Sequence, residues 1–99
     1  MAQFDVHANA FGKGFLLDCQ SDLLSHLNTW LVAPLLRPDD APKPAGLLNP
    51  TFVIDGQPYV MVTQYAAVIE VRELGEPMGS LAGQDREIMN ALGVVVSGV

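Results

Sequence analysis

The sequence is short of basic residues and of cysteine, and each shortage excludes a class of protein. Its 99 residues hold only five Lys and Arg, which are scattered, against eleven Asp and Glu, so the formal net charge is −6. Nucleic-acid binding takes most of its affinity from cations that neutralise phosphates, so we predict no direct nucleic-acid contact. Cys19 is the single cysteine, so no disulfide can form within the chain.

Long apolar runs are missing as well. No stretch reaches the roughly 18 to 20 residues of a membrane span, so we predict no membrane contact. The segment MAQFDVHANAF has no basic region followed by an apolar one, so we predict no signal peptide and expect a cytoplasmic protein. The length and the absence of internal repeats predict a single domain over residues 1–99.

Apolar residues are nevertheless abundant, at 49% of the composition against 16% charged. A chain of this size has a modest core, so we expect part of the apolar surface to face a partner. The apolar residues continue to the last position in the segment GVVVSGV, residues 93–99. Such an apolar end requires either packing within the molecule or a binding role.

Alternating apolar residues predict five or so antiparallel strands in the first three quarters of the chain. The segments are residues 2–8, 15–19, 29–35, 51–54, 58–63 and 68–73. Glycines 12 and 14 predict a turn with positive φ, and Asp55-Gly56 predicts a tight hairpin turn. Pro34 cannot donate a ladder hydrogen bond, so we expect it at a sheet edge or a strand end.

Two proline- and glycine-rich segments predict loops, and the end of the chain predicts a helix. The first loop is residues 37–50, and we expect Leu47 and Leu48 to anchor its end in the core. The second loop is residues 75–79. The helix would begin near Ser80 as its N-cap. We therefore predict a mainly β (α+β) fold, a small antiparallel barrel or sheet with one C-terminal helix.

An apolar stripe on this helix has two interpretations. Its members are Ile88, Leu92, Val95 and Val99, and Met89 and Val96 widen it. The helix could pack on its own barrel, or it could form the seam of a homodimer, for which we predict an interface of Ile88, Leu92, Val95 and Val96. Both remain open from the sequence.

Few side chains are candidates for catalysis or metal binding. Ser21, Asp22 and His26 are close in sequence, but no G-x-S-x-G motif accompanies them, and SDLLSHLN is typical of a turn between strands. His7, His26 and Cys19 have none of the spacings of metal ligands. We therefore predict no catalytic residue, no metal site and no cofactor.

The segments DCQSDLL (18–24) and LVAPL (31–35) together resemble the CcdB family, the toxins of plasmid and chromosomal toxin–antitoxin pairs. The resemblance resumes at Leu48-Asn49-Pro50 and at the hairpin around Asp55-Gly56. It continues through Met61, Thr63 and Ala67 to a helix with Ile88, Asn90 and Ala91. It thus covers nearly the whole chain.

This resemblance implies an SH3-like barrel with a C-terminal helix, the CcdB/MazF-like toxin fold, and a homodimer. It implies a non-enzymatic toxin that binds the A subunit of DNA gyrase, traps the cleaved DNA complex and is neutralised by a CcdA-type antitoxin. The residues that match the family's gyrase surface are Leu23, Leu24, Asn90, Ser97, Gly98 and Val99.

Ser97 is the main departure of that surface from the family, and Val99 is a conservative one. Family members that poison gyrase end in Trp-Gly-Ile, and this chain ends in Ser97-Gly98-Val99. Truncating a buried aromatic anchor commonly costs ~2–4 kcal/mol of binding. Three explanations stay open: a cognate gyrase with a different pocket, another target, or an inactive member that only sequesters antitoxin. A rival function is a MazF-like endoribonuclease, for which Glu70 would supply acid–base chemistry and Arg72 would hold the phosphate charge.

Overall fold

The computed structural model describes residues 2–98, which form seven strands and one α-helix, joined by turns and by short 3-10 segments. The strands are β1 (Asp5–Ala8), β2 (Phe15–Asp18), β3 (Thr29–Leu36), β4 (Thr51–Ile54), β5 (Gln57–Met61), β6 (Ala67–Glu70) and β7 (Pro77–Ser80). The helix α1 is Asp85–Ser97.

The strands form one antiparallel sheet that curls into a half-barrel. Its order is β4-β5-β3-β2-β1-β7, and β6 pairs with the first half of β3, on the edge that β5 uses further along. The predicted fold class, mainly β with a C-terminal helix, is confirmed. Strand β3 is the longest, and every part of it has a neighbour on at least one side.

Pro34 lies inside β3, in the middle of the sheet, and not at the edge or strand end that the sequence predicts. The exchange of neighbours explains this position. Strand β2 lies opposite Pro34, but the polar backbone atoms of Pro34 face the other edge of β3. On that edge β6 pairs up to Val32 and β5 from Leu35 onward, so no strand requires a donor at Pro34. The Pro34 carbonyl still accepts from the N–H of Val62 at 2.9 Å.

The core lies between the concave face of the sheet and α1. Val6, Leu17 and Leu35 point into it from three neighbouring strands, and Ile88 meets them from the helix. Each contributes apolar area that water no longer contacts, at roughly 25 cal/mol per Å². This burial fixes the buried side of α1, and therefore its exposed side.

The two predicted tight turns form with the backbone that the sequence requires. Asp55 and Gly56 have φ of 52° and 76° and close the β4–β5 hairpin. Gly14 has φ of 79°, and a Cβ at this position would clash with the carbonyl oxygen of Leu35. Gly12 has open space around it, so in this turn only position 14 requires glycine.

Three predicted boundaries are wrong. Residues 77–80, which overlap the predicted second loop, form β7, which pairs with β1 despite a poor strand sequence. Ser80 ends that strand and does not cap α1; its Oγ accepts from the N–H of Ala82, and the helix begins at Asp85. The last predicted strand ends at Glu70, because residues 71–73 turn into a 3-10 segment.

Of the two leucines predicted to anchor the loop at residues 37–50, Leu48 is half-buried in a segment that packs on α1, and a buried amide provides a further anchor. Leu47 is 70% exposed, whereas Asn49 is buried. The Asn49 side chain donates to the carbonyl of Met61 at 3.0 Å and accepts from the N–H of Ala45 at 3.1 Å. One side chain therefore ties both the loop and strand β5 together.

Across residues 2–98, no helix is long and apolar enough to cross a membrane.

Candidate functional site

The motif DCQSD builds a rigid platform after β2. The buried carboxylate of Asp18 accepts from the N–H of Gln20 at 2.9 Å. The Gln20 amide then donates to the carbonyls of Leu24 and Thr29 and accepts from the N–H of Leu31. One glutamine side chain therefore joins the segment after β2 to the start of β3.

The platform presents leucines to solvent. Ser21 caps the 3-10 segment Asp22–Leu24 by accepting from the N–H of Leu23, and Asp22 accepts from the N–H of Gln3 at 2.8 Å. Leu23 is 87% exposed, and Leu24 is partly exposed beside it. Apolar side chains held out by a hydrogen-bonded frame are typical of a contact surface. The positioning role of Gln20 is not one that its sequence position alone predicts.

The predicted dimer residues divide between the two sides of α1. Ile88 is 0% exposed and packs in the core of its own protomer, so it offers no surface to a partner in this structure. Leu92 is half-buried against the same core. Val95 and Val96 face solvent, and Val96 is 85% exposed. An outward apolar surface therefore exists, but it is narrower than the predicted stripe.

The last residues that the structure describes, Ser97 and Gly98, form the C-terminal cap of α1. The hydroxyl of Ser97 donates to the carbonyl of Gly93 at 2.9 Å. Gly98 has φ of 76° and its N–H donates to the carbonyl of Val94, a left-handed helix cap. Asn90 lies exposed on the same helix. Val99, the last predicted target residue, lies outside the described residues.

The predicted target residues form two groups within one protomer. Helix α1 packs mainly on the 3-10 segments at residues 46–48, 63–65 and 82–84. The turn that carries Leu23 is instead hydrogen-bonded to Gln3 and Gln20. Leu23 and Leu24 thus belong to one exposed patch, and the helix residues Asn90, Ser97 and Gly98 belong to another.

Burial changes the acidity of two side chains near β2. Burial raises the pKa of Asp18 from 3.8 to about 6, and the N–H of Gln20 and the nearby His7 oppose that rise. Burial also raises the pKa of the Cys19 thiol to about 12, so the reactive thiolate is suppressed. His7 is fully buried, with its Nδ1–H donating to the carbonyl of Gly75 at 2.8 Å.

Two of the side chains considered for catalysis, Ser21 and Asp22, form structural hydrogen bonds. Both accept from backbone N–H groups, as described above. In the part of the chain that the structure describes, no three His, Cys, Asp or Glu side chains gather as a metal would need.

Arg72 and Glu70 do meet, at the mouth of a shallow pocket. The Arg72 guanidinium forms an ion pair with the Glu70 carboxylate. The pocket has a volume of about 380 Å³ and is lined also by Asn28, Thr29 and Val71. Both charged side chains are largely exposed, which is typical of a weak surface pair.

The half-barrel with its C-terminal helix is a fold found in known toxins. An endoribonuclease from a mycobacterial species, solved with its cognate antitoxin, matches with a TM-score of 0.77 and 14% identity, over 97% of this chain and 94% of that one. The Mycobacterium tuberculosis toxin MazF-mt6 matches with a TM-score of 0.71 and 23% identity, over 90% and 92% of the two chains.

The sequence itself defines the family. The model of the family described as CcdB protein matches residues 3–98, so this chain belongs to the CcdB family. No curated protein matches the chain. The family resemblance drawn from DCQSDLL and LVAPL is thereby confirmed.

Proposed function

We propose that this chain is the toxin of a toxin–antitoxin module and acts by binding the A subunit of DNA gyrase, without catalysing a reaction. Membership of the CcdB family supports this function, and the likeness to solved toxins supports the fold on which it depends. A CcdA-type antitoxin would neutralise it.

The observation that carries the proposal is the exposed pair Leu23 and Leu24 in a hydrogen-bonded turn. Leu23 and Leu24 stand outside the core, yet three side chains of the DCQSD motif hold their turn in place. Because the backbone of this turn is already held in place, binding there costs less backbone conformational entropy. The helix end at residues 97 and 98 would form the second part of the gyrase surface.

Ser97 sets how strongly that second part can bind. Its hydroxyl is already used by the carbonyl of Gly93, and it offers no aromatic ring to a pocket. We therefore propose that the cognate gyrase has a pocket adapted to a small residue. If it has not, the chain retains antitoxin binding alone and serves as an antitoxin sink.

The test of this site is the substitution Gly98→Arg. A Cβ at position 98 meets no atom within 4 Å, so the side chain fits, and φ of 76° costs about 1–2 kcal/mol at a helix end. We expect Gly98→Arg to abolish growth inhibition while the circular dichroism spectrum stays unchanged. The control is Gly98→Asn, which tolerates the same backbone and adds no charge. Full toxicity of the arginine variant would refute this site.

We also propose a homodimer, with Val95 and Val96 at its seam. These are the stripe residues that remain exposed in one protomer. Sedimentation should give a dimer at micromolar concentration, and replacing both valines by serine should shift it towards monomer. A monomeric wild-type protein at that concentration would contradict the seam.

A second candidate function is RNA cleavage by the Arg72–Glu70 pair. The ion pair at the pocket of about 380 Å³ favours it, as does a fold shared with an endoribonuclease. The net charge of −6 opposes RNA binding. RNA cleavage in metal-free buffer that is lost on Arg72→Ala would establish it.

A further inference from the structure

Two of the unpaired strand edges of the half-barrel, those of β4 and β7, border the same cleft. Within residues 2–98, β4 pairs with β5 alone and β7 pairs with β1 alone. A cleft of about 190 Å³ lies between them, with Val53 and Ile54 on one wall and Met78, Gly79 and Ser80 on the other. The cleft is therefore bounded by the open edges of one sheet.

The register determines which backbone groups point into the open edge on the β4 side. Opposite residues of antiparallel strands alternate between hydrogen-bonded and non-hydrogen-bonded pairs. The two-residue turn makes Ile54 and Gln57 a bonded pair, so Val53, opposite Pro58, is a non-bonded one. The N–H and C=O of Val53 consequently point away from β5. Its side chain is 70% exposed.

The same argument applies to β7. Leu81 donates to the carbonyl of Phe4, and Gly79 lies opposite Val6, so Ser80 between them is the non-bonded residue, opposite Asp5. The N–H and C=O of Ser80 thus point away from β1. In the described chain, neither β4 nor β7 has a second strand neighbour that could take these groups or those of Val53. Open edges of this kind accept an added strand.

The lining of the cleft specifies what such a strand would carry. The remaining lining side chains are the apolar Val6, Phe15 and Leu81, together with Asp55 at the hairpin tip. Asp55 is the single charged residue of the lining, and the whole chain carries a charge of −6. An incoming strand would need small apolar residues on its inner face and a basic residue near Asp55.

We propose that an extended segment of the neutralising antitoxin inserts between β4 and β7 and pairs with the free backbone groups of Val53 and Ser80. This proposal rests on the proposed function, because it takes the antitoxin as the partner. The strand would close the half-barrel. Two open edges that border one cleft favour an added strand, because its backbone can pair with free groups on both sides.

The test uses this chain co-expressed and purified with the antitoxin encoded beside it. Amide hydrogen exchange is measured by NMR for the free protein and for the complex. We expect the amides of Val53 and Ser80 to exchange rapidly in the free protein and at least about tenfold more slowly in the complex. A complex in which both amides still exchange rapidly would overturn the proposal and leave the toxin function intact.

A substitution isolates the backbone contact. Val53→Pro removes an N–H that the β4–β5 ladder does not use, and edge strands tolerate proline at such a position. We expect about tenfold weaker antitoxin binding, the effect of one lost hydrogen bond together with the added ring. The control Val53→Thr keeps the N–H and the branched shape, and should bind as the wild type does. Equal affinity of a folded Val53→Pro variant would refute the pairing.

Two other outcomes also decide the question. Failure of any complex to form would refute the proposed function, and this inference with it. Protection of Val53 and Ser80 in the concentrated free protein that disappears on dilution would show a second copy of this chain in the cleft. That result would overturn the proposal in favour of self-association.

Discussion

Truncating Leu23 should separate target binding from folding. Leu23 is 87% exposed, so its side chain contributes little to the folded state, and Leu23→Ala should change the free energy of unfolding by less than about 0.5 kcal/mol. Full burial of a leucine side chain against gyrase would contribute roughly 1.5–3 kcal/mol. A loss of about 2 kcal/mol corresponds to roughly 30-fold weaker binding.

The assay measures gyrase-dependent DNA cleavage, and its readout is the protein concentration that gives half-maximal cleavage. The melting temperature of each variant is recorded in parallel. The matched control is Leu47→Ala, because Leu47 is also exposed and lies outside the proposed surface. We expect Leu23→Ala to shift the half-maximal concentration and Leu47→Ala to leave it unchanged. Equal shifts for both, or none for Leu23→Ala, would refute the reasoning.

Three further predictions concern the fold. Gly14→Ala should destabilise the protein by at least about 2 kcal/mol, since its φ is 79° and a Cβ would clash with a neighbouring carbonyl, whereas Gly12→Ala should be nearly neutral in chemical denaturation. Ile88→Ala should cost about 2–5 kcal/mol, and Val96→Ala less than about 0.5. Burial raises the pKa of Asp18 in the folded state to about 6, so ionisation of Asp18 opposes folding at neutral pH. The free energy of unfolding should therefore increase as the pH falls from about 6 to about 4, by at most about 3 kcal/mol. Asp18→Asn should remove this pH dependence.

Local backbone demands could be predicted from the sequence, because single residues determine them. The Asp55-Gly56 turn follows from the need for positive φ at both positions, and the structure has it. The side chain of Asn49 is a different case. Its burial depends on the carbonyl of Met61, which lies twelve residues away, so no local pattern predicts it.

Long-range pairing caused the failures. Strand β7, with the sequence PMGS, has low strand propensity and forms because β1 offers it a ladder. Pro34 is tolerated in mid-sheet because β3 changes neighbours there. For the candidate site, the sequence located Leu23 correctly in a turn, but only the structure shows that Ile88 is buried in the core of its own protomer.

The measurement that tests the central proposal most directly is a gyrase-dependent DNA cleavage assay with purified protein and gyrase from the same organism. We predict trapped double-strand breaks, which would mean that a surface ending in Ser97-Gly98 still poisons its own gyrase. The absence of breaks with a folded protein would contradict gyrase poisoning, and the target would have to be sought elsewhere or the chain treated as an antitoxin sink.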